Sequence, residues 1–207
     1  MSSRLLVLGT RNRKKLTELV ELFAPHGFEL KSLTDFPQAI EVEESGTTFA
    51  ENAALKATVQ ARHLKQWVLG EDSGLCVSAL DGAPGVYSAR FSAPNATDAK
   101  NNALLLEKLK DVPTEKRTAH YVCHATLSDP AGTIRADAED YCRGRILPAA
   151  AGSGGFGYDP LFEVIEYHQT FGELQPAVKA VLSHRARAIR AVVRQMVALV
   201  RDGQWPA

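Results

Sequence analysis

The stretch that decides the fold lies near the start of the chain and reads Leu5-Leu6-Val7-Leu8-Gly9-Thr10. Four consecutive apolar residues before a glycine predict a short buried strand, and the Gly-Thr pair predicts the turn that follows it. The apolar positions of the next segment recur at helical spacing: Leu16, Leu19, Val20 and Phe23. A strand, a polar turn and a helix in this order predict an α/β fold.

Strands and helices continue to alternate along the first half of the chain. Residues 28–33 predict a second strand, and residues 67–70 predict a third strand that ends at the carboxylates Glu71 and Asp72. Between them, Thr48-Phe49-Ala50-Glu51 has the Ser/Thr-x-x-Glu form of a capping box, which opens an alanine-rich helix.

The second half is predicted to contain more antiparallel strand. A helix is expected at 97–110, followed by strands at 120–127 and 134–141 that a turn connects, and residues 143–147 are compatible with a continuation of the second strand. Helical spacing of apolar residues predicts a last helix over 183–201. We therefore predict one α/β domain over residues 1–207, built of two lobes with the active site in the cleft between them.

The composition limits the classes of partner. Lys plus Arg and Asp plus Glu both number 24, so the net charge is zero and we expect neither a stable nucleic-acid partner nor a membrane. The N-terminus lacks the apolar segment of a secretory signal, and no apolar run approaches the roughly 18 residues of a membrane span, which predicts a cytoplasmic protein. Cys76, Cys123 and Cys142 are widely spaced and predict buried thiols.

A polar, strongly basic segment joins the first strand to the first helix: Thr10, Arg11, Asn12, Arg13, Lys14 and Lys15. The N-terminus of a helix attracts anions through its free N–H groups and its dipole, and the cations add full charges, so we interpret this turn as a phosphate site. It matches neither of the two well-known glycine-rich phosphate loops, and a solvated basic surface is the alternative.

Two acidic groups lie in the same half of the chain. One is the adjacent pair Glu71 and Asp72, and the other comprises Glu41, Glu43 and Glu44. Carboxylates near phosphates indicate Mg²⁺, which takes one or two protein carboxylates and completes its shell with water and phosphate oxygens. Taken alone, either group is more often a turn or a solvated face.

A third candidate segment sets an aromatic residue among glycines and follows it with a carboxylate: Gly154-Gly155-Phe156-Gly157-Tyr158-Asp159-Pro160. The ring of Phe156 can stack on a nucleobase and Asp159 can accept hydrogen bonds from its edge; the alternative is a tight turn whose phenylalanine fills the core. Lys179 and Ser183-His184-Arg185 supply donors for a purine edge or for phosphate, unless they form only an exposed basic helix start.

Six short motifs occur in order along nearly the whole chain. They are Thr10, Asn12 and Lys15 in a Thr-x-Asn-x-x-Lys turn; Thr48-Phe49-Ala50-Glu51-Asn52-Ala53 with Lys56; Asp72-Ser73-Gly74-Leu75; Gly82-Ala83-Pro84-Gly85-Val86-Tyr87-Ser88-Ala89-Arg90; Gly155-Phe156-Gly157-Tyr158-Asp159-Pro160; and Ser183-His184-Arg185. Together they resemble the inosine/xanthosine triphosphate pyrophosphatase family, whose members hydrolyse non-canonical purine nucleoside triphosphates such as ITP, dITP and XTP.

The resemblance implies an elongated α/β fold with a central mixed sheet, a cleft between two lobes and a homodimer. Trp67, Trp205 or the exposed side of a helix is a candidate interface. It also implies Mg²⁺-dependent attack of water on the α-phosphorus, which yields a nucleoside monophosphate and pyrophosphate. Two positions depart from the family, because Arg11 replaces a glycine and Ala180 replaces an Asn or Ser. A pyrophosphatase for pyrimidine or modified triphosphates, and a nucleotide sensor without hydrolysis, are the alternative functions.

The resemblance further implies roles for individual residues. The triphosphate would be held by Thr10, Asn12 and Lys15, assisted by Lys56 and Arg90. Mg²⁺ would be held by Glu44 and Asp72; Asp72 would also be the base for water, with Ser73 beside the substrate. Phe156 would stack on the base, in a loop shared with Gly157 and Tyr158. The base would be read or clamped by Asp159, Lys179, His184 and Arg185.

Overall fold

The computed structural model describes residues 4–206. Its helices and strands are β1 (Arg4–Leu8), α1 (Arg13–Phe23), β2 (Phe28–Ser32), α2 (Phe49–Leu64), β3 (Val68–Val77), α3 (Asp98–Leu109), β4 (Thr118–Ser128), β5 (Ile134–Ile146), β6 (Phe162–Val164), β7 (Gln169–Thr170), α4 (Pro176–Leu182) and α5 (His184–Arg201). None of the helices in this range is long and apolar enough to cross a membrane.

Over the described residues, the strands form one seven-stranded sheet in the order β2-β1-β3-β4-β5-β6-β7. β1 pairs in parallel with both β2 and β3, whereas β6 is antiparallel to β5 and β7. The predicted α/β class with a central mixed sheet is confirmed. The capping box is also confirmed, because the Thr48 hydroxyl accepts from the N–H of Glu51 and the Glu51 carboxylate accepts from the N–H of Thr48.

One predicted boundary is wrong. β3 does not end at Glu71 but continues through both carboxylates to Val77. Successive side chains of a strand point to opposite faces of the sheet, so Glu71 and Asp72 face in opposite directions. The two carboxylates that appear as a pair in the sequence therefore belong to different surroundings.

The chain divides into two compact units. Unit 1 comprises the residues up to Asp72, Cys123–Asp140 and the residues from Arg185 onward, and unit 2 comprises Ser73–Val122 and Tyr141–His184. Each unit has its own apolar core. In unit 2, the core contains residues of β4, β5, β6 and α3.

Unit 1 has three layers. On one face of the sheet, Leu6 and Leu8 of β1 pack with residues of α1 and α5, and on the other face Val7 packs with residues of α2. Trp67 and Trp205 lie inside the first of these cores, stacked with ring centroids 4.3 Å apart and nearly covered from solvent. The expectation that these tryptophans form an interface is therefore wrong. Among the cysteines, Cys123 and Cys142 are buried as predicted, whereas Cys76 is only half-buried.

Gly70 brings β3 into close contact with α2. A Cβ atom at this position would lie 2.4 Å from the carbonyl oxygen of Ala53 and 2.6 Å from the backbone nitrogen of Ala57. Both of these neighbours are backbone atoms of a helix, so no side-chain rotation relieves the overlap. The missing side chain of Gly70 thus sets the spacing between the strand that carries Asp72 and the helix that carries Lys56.

We expect Gly70→Ala to lower the free energy of unfolding by about 1–3 kcal/mol, because the added methyl group forces β3 and α2 apart. Urea unfolding at neutral pH measures the change. Gly154→Ala is the control, since its added Cβ meets no atom closer than 3.1 Å. Equal losses for the two variants would contradict the close approach at Gly70.

Candidate functional site

The basic turn after β1 is organised by Asn12. Its side chain is the N-cap of α1 and accepts hydrogen bonds from the backbone nitrogens of Lys14 at 3.0 Å and Lys15 at 3.3 Å. The backbone nitrogen of Asn12 in turn donates to the Thr10 hydroxyl at 3.1 Å. Arg11, Asn12, Arg13 and Lys14 are exposed. The turn therefore presents cations to solvent at a helix N-terminus whose first turn has no acidic residue.

Lys15 differs from its neighbours because its side chain points inward. Its Nζ lies 2.8 Å from Oε1 of Glu71, whose side chain is 1% exposed. Nε of Arg185 lies 3.5 Å from the other carboxylate oxygen of Glu71, and the Arg185 guanidinium also pairs with Glu18. The Cys123 thiol donates to Glu71 at 3.4 Å. We call these five residues the Glu71 cluster; they lie in unit 1.

The charges of the Glu71 cluster stabilise one another. Burial alone would raise the pKa of Glu71, but the nearby Arg185 and Lys15 outweigh it and hold that pKa well below its ordinary range. Burial likewise would lower the pKa of Arg185, and Glu71 and Glu18 raise it instead. Burial, together with the Glu71 carboxylate, raises the pKa of the Cys123 thiol. At neutral pH Glu71 is thus ionised and Arg185 protonated, beside a neutral Cys123 thiol.

Asp72 faces the other side of β3, toward α2. Its Oδ1 accepts from Nζ of Lys56 at 2.8 Å, and its Oδ2 accepts from Nδ2 of Asn52 at 3.4 Å. The same Lys56 ammonium lies 2.9 Å from Oε2 of Glu44. We call these four residues, Glu44, Asn52, Lys56 and Asp72, the Asp72 group. Burial raises the pKa of Asp72, and the ion pair with Lys56 offsets only part of that effect.

The Asp72 group fits a divalent cation. Glu44 and Asp72 are the two residues that the family resemblance assigns to Mg²⁺, and both of their carboxylates contact one positive charge, the Lys56 ammonium. Mg²⁺ commonly takes one or two protein carboxylates and fills its remaining positions with water and phosphate oxygens. Residues 4–206 contain no cluster of three or more His, Cys, Asp or Glu side chains suited to a metal. Glu41 and Glu43 are exposed.

The glycine-rich loop of unit 2 is built around Asp159. This buried carboxylate accepts from the backbone nitrogen of Phe156 at 2.8 Å, from Nζ of Lys179 at 2.7 Å and from the Tyr121 hydroxyl at 3.3 Å. Gly155 has φ +72°, and a Cβ there would lie 2.0 Å from the Asp159 carboxylate, so a side chain would displace it. Asp159 therefore fixes the loop that presents Phe156.

Phe156 is half-buried. It therefore does not fill the core, which is the position that a tight turn without a binding role would give it. Nζ of Lys179 lies 4.8 Å from the centre of its ring. The loop is also tied to α3, because Gly157 donates to Asp98 at 3.0 Å and accepts from Asn102 at 2.9 Å. Tyr158 is buried, with its hydroxyl donating to the carbonyl of Ser88. The loop thus presents the partly exposed ring of Phe156 beside the Lys179 ammonium.

His184 lies in unit 2 against Tyr121. The two rings are stacked, with centroids 4.6 Å apart and planes only 7° from parallel. Since the hydroxyl of Tyr121 also donates to Asp159, this tyrosine connects two residues predicted to read the base. Neither Tyr121 nor Glu71 was among the predicted site residues. Glu71 does belong to the adjacent acidic pair that the sequence shows. The sequence contains no signal for Tyr121, since a tyrosine in a strand is usually a core residue.

Other predicted residues lie outside these groups. The guanidinium of Arg11 donates to the carbonyl of Ala39, and that of Arg90 lies 5.1 Å from the ring centre of Tyr87. Ser73 is half-buried in β3. Arg185 belongs to the Glu71 cluster, where its contacts are with carboxylates, and its contact with a base stays a prediction.

The chain is similar to several known proteins. A curated relative from Rhodopirellula baltica, named dITP/XTP pyrophosphatase, is 52% identical over 98% of this chain and 97% of its own length. Two solved structures are also similar. A HAM1 protein from Coxiella burnetii superposes with a TM-score of 0.85 at 34% identity, covering 95% of this chain and 99% of that one. A nucleoside-triphosphatase / dITP/XTP pyrophosphatase from Mycobacterium abscessus has a TM-score of 0.74 at 42% identity, covering 90% and 96%.

The sequence profile of the Ham1 family matches residues 6–195. This range includes every residue of the Glu71 cluster, the Asp72 group and the glycine-rich loop. The match extends over far more than half of the chain and coincides with both similar structures. On this evidence, the chain belongs to the Ham1 family.

Proposed function

We propose that this protein hydrolyses non-canonical purine nucleoside triphosphates, ITP, dITP and XTP, to the nucleoside monophosphate and pyrophosphate. The observation that carries the proposal is the Asp72 group, in which two carboxylates and a lysine converge in a chain 52% identical to a curated dITP/XTP pyrophosphatase. Such a group suits phosphate chemistry, where the enzyme mainly positions the reactants and stabilises charge.

Mg²⁺ is the cofactor that we propose for Glu44 and Asp72. When bound, the ion would neutralise phosphate charge and lower the pKa of water. We assign Asp72 as the base that receives the proton of the attacking water. Burial raises the pKa of this carboxylate. Lys56 holds Oδ1 of Asp72 and brings a positive charge toward the phosphates.

The triphosphate is assigned to the cations near α1 and α2. Lys15 and Lys56 are both more than four-fifths buried and are held by carboxylates, so their ammonium groups are already oriented. Thr10 and Asn12 shape the turn between β1 and α1. The exposed Arg11, Arg13 and Lys14 add attraction for a polyanion, and Arg90 and Ser73 stay proposals from the family resemblance.

The base is assigned to the glycine-rich loop and to the polar residues that the family resemblance implies. Phe156 supplies a half-buried ring for stacking, with Gly157 and Tyr158 continuing the loop, and the polar groups of Asp159, Lys179, His184 and Arg185 supply recognition of the base edge. A site that hydrogen-bonds O6 of a purine discriminates against adenine, which carries an amino group there.

A product assay tests the proposed function. ITP, XTP, dGTP and ATP are each incubated with the protein, with and without Mg²⁺, and the monophosphate and pyrophosphate are quantified. We expect Mg²⁺-dependent release of both products from ITP and XTP and much slower reaction of ATP. Binding of ITP without any product would support a sensor instead, and faster turnover of pyrimidine triphosphates would support the related pyrophosphatase.

The oligomeric state and location belong to the same proposal. The family resemblance implies a homodimer, and the sequence predicts a cytoplasmic protein. Sedimentation velocity at micromolar concentration tests the first: a single species near 22.5 kDa would contradict a dimer.

Phe156→Ala tests the stacking role. We expect kcat/KM to fall for ITP and ATP by a similar factor, equivalent to about 1–3 kcal/mol, because stacking on an aromatic ring does not depend on which base is bound. The control is Tyr167→Ala, which removes an exposed aromatic residue elsewhere in unit 2. If Phe156→Ala changes ITP and ATP by very different factors, the ring selects the base and does not merely stack on it.

A further inference from the structure

Asn52 is a fully buried polar residue in the first turns of α2. It precedes Lys56 by four residues, so the two side chains lie on the same face of the helix. Both contact Asp72, Lys56 at Oδ1 and Asn52 at Oδ2. Asn52 is therefore part of the immediate surroundings of a candidate metal ligand, although no function has been assigned to it above.

The orientation of the Asn52 amide follows from its second contact. Its Oδ1 accepts the backbone N–H of Gly46 at 2.8 Å. Since a backbone N–H can only donate, the carbonyl end of the amide must face Gly46, and the NH₂ end must face Asp72. A Cβ at residue 46 would lie 2.7 Å from this Oδ1, so the glycine permits the contact.

The contact with Gly46 connects Asn52 to the other candidate ligand. Glu44 precedes Gly46 by two residues, in the segment that leads into α2. One amide thus holds Asp72 through its nitrogen and the segment carrying Glu44 through its oxygen. Lys56 bridges the two carboxylates directly, at 2.9 Å and 2.8 Å.

Capping of α2 does not account for this amide. The N-terminus of the helix is already capped by Thr48 and Glu51, and the Glu51 carboxylate also accepts from the backbone nitrogen and hydroxyl of Thr47. The Asn52 side chain bonds to neither Thr47 nor Thr48 but to Gly46 and Asp72. Different residues therefore cap the helix and contact the Asp72 carboxylate: Thr48 and Glu51 cap α2, and Asn52 bonds to Asp72.

We propose that Asn52 is a positioning residue that fixes Glu44 and Asp72 relative to each other and thereby sets the affinity for a divalent cation. The inference rests on the proposed function, because it takes these two carboxylates as the metal ligands. Groups that hold metal ligands in place from the outer shell commonly contribute 10- to 100-fold to affinity, and the loss of Asn52 should have an effect of about that size.

Binding of Mn²⁺ alone tests the proposal without any turnover. Electron paramagnetic resonance measures free Mn²⁺ in titrations of the wild-type protein and of Asn52→Leu, which has a similar volume but neither donates nor accepts. We expect the dissociation constant to rise by about 10- to 100-fold in Asn52→Leu. Glu51→Ala is the matched control, since it weakens the adjacent helix start and should lower the melting temperature while leaving Mn²⁺ affinity unchanged.

Gly46→Ala provides a second variant from the other end of the contact, in case Asn52→Leu does not fold. Its added Cβ would lie 2.6 Å from Cβ of Glu51 and 2.7 Å from Oδ1 of Asn52, so it displaces the Asn52 carbonyl while keeping the amide in the protein. We again expect weaker Mn²⁺ binding, and Glu51→Ala measures any contribution from the disturbed helix start. Unchanged affinity in a folded Asn52→Leu or Gly46→Ala protein would overturn the positioning role. Absence of Mn²⁺ binding in the wild-type protein would overturn the metal assignment itself, and with it this inference, whereas missing pyrophosphate release with normal Mn²⁺ binding would count against the proposed function alone.

Discussion

The Asp72→Asn protein is expected to lose nearly all turnover of ITP. General bases commonly contribute about 10²- to 10⁴-fold to a rate, and this substitution removes the proposed base and a proposed metal ligand together. The amide occupies almost the same space as the carboxylate, and Lys56 retains Glu44 as a partner, so the fold should persist. Pyrophosphate release with saturating ITP and Mg²⁺ measures the loss in kcat.

Asp137→Asn is the matched control for this experiment. Asp137 is an exposed aspartate of β5 in unit 1, where it lies 3.6 Å from His124 and outside the Asp72 group. The same chemical change there should leave kcat unaltered. If Asp72→Asn keeps near-normal turnover while binding nucleotide as the wild type does, Asp72 is neither the base nor a required ligand.

Glu71→Ala is expected to cause the largest loss of stability among the substitutions considered. Removal of one partner from a buried ion pair commonly costs about 3–5 kcal/mol, because the opposite charge stays buried without compensation. Arg185, whose side chain is 3% exposed, and Lys15 would both lose this carboxylate. Urea unfolding at neutral pH measures the change in the free energy of unfolding.

Glu18→Ala tests whether the loss of stability depends on burial of the carboxylate or only on its charge. Glu18 pairs with the same arginine, but its side chain is 24% exposed, so water can replace it. We expect a loss of no more than about 1 kcal/mol, as for ion pairs near the surface. Similar losses for Glu18 and Glu71 would show that burial of the Glu71 cluster does not govern its contribution.

The elements that depend on local patterns could be predicted from the sequence. Apolar spacing, a cap or a turn signal predicted the following elements, and the structure confirms the type of each: β1, α1, β2, α2, α3, β4, β5 and α5. The extent of β3 could not be predicted in this way. Its apolar run stops at Glu71, whereas the strand continues through two carboxylates. These carboxylates are paired with Lys15, Arg185 and Lys56 through contacts distant in sequence, which a local pattern does not reveal.

The sequence predicts which residues form the candidate site better than it predicts which of them contact one another. The basic turn, Lys56 and the acidic residues were identified, but their partners depend on which face of β3 each side chain occupies. Tyr121 was missed because nothing in its local sequence distinguishes it from a core tyrosine. α4 was also missed, since seven residues beginning with Pro176 are too few for a clear apolar period.

The alternation of side chains along β3 has a consequence for how this protein can vary. Insertion or deletion of one residue between Val68 and Glu71 would turn every later side chain of the strand to the opposite face of the sheet. The carboxylate that neutralises Arg185 would then face α2, and the carboxylate that contacts Lys56 would face the opposite core. A single change in length would thus impair the stability and the chemistry of the protein together, whereas point substitutions can alter either one separately.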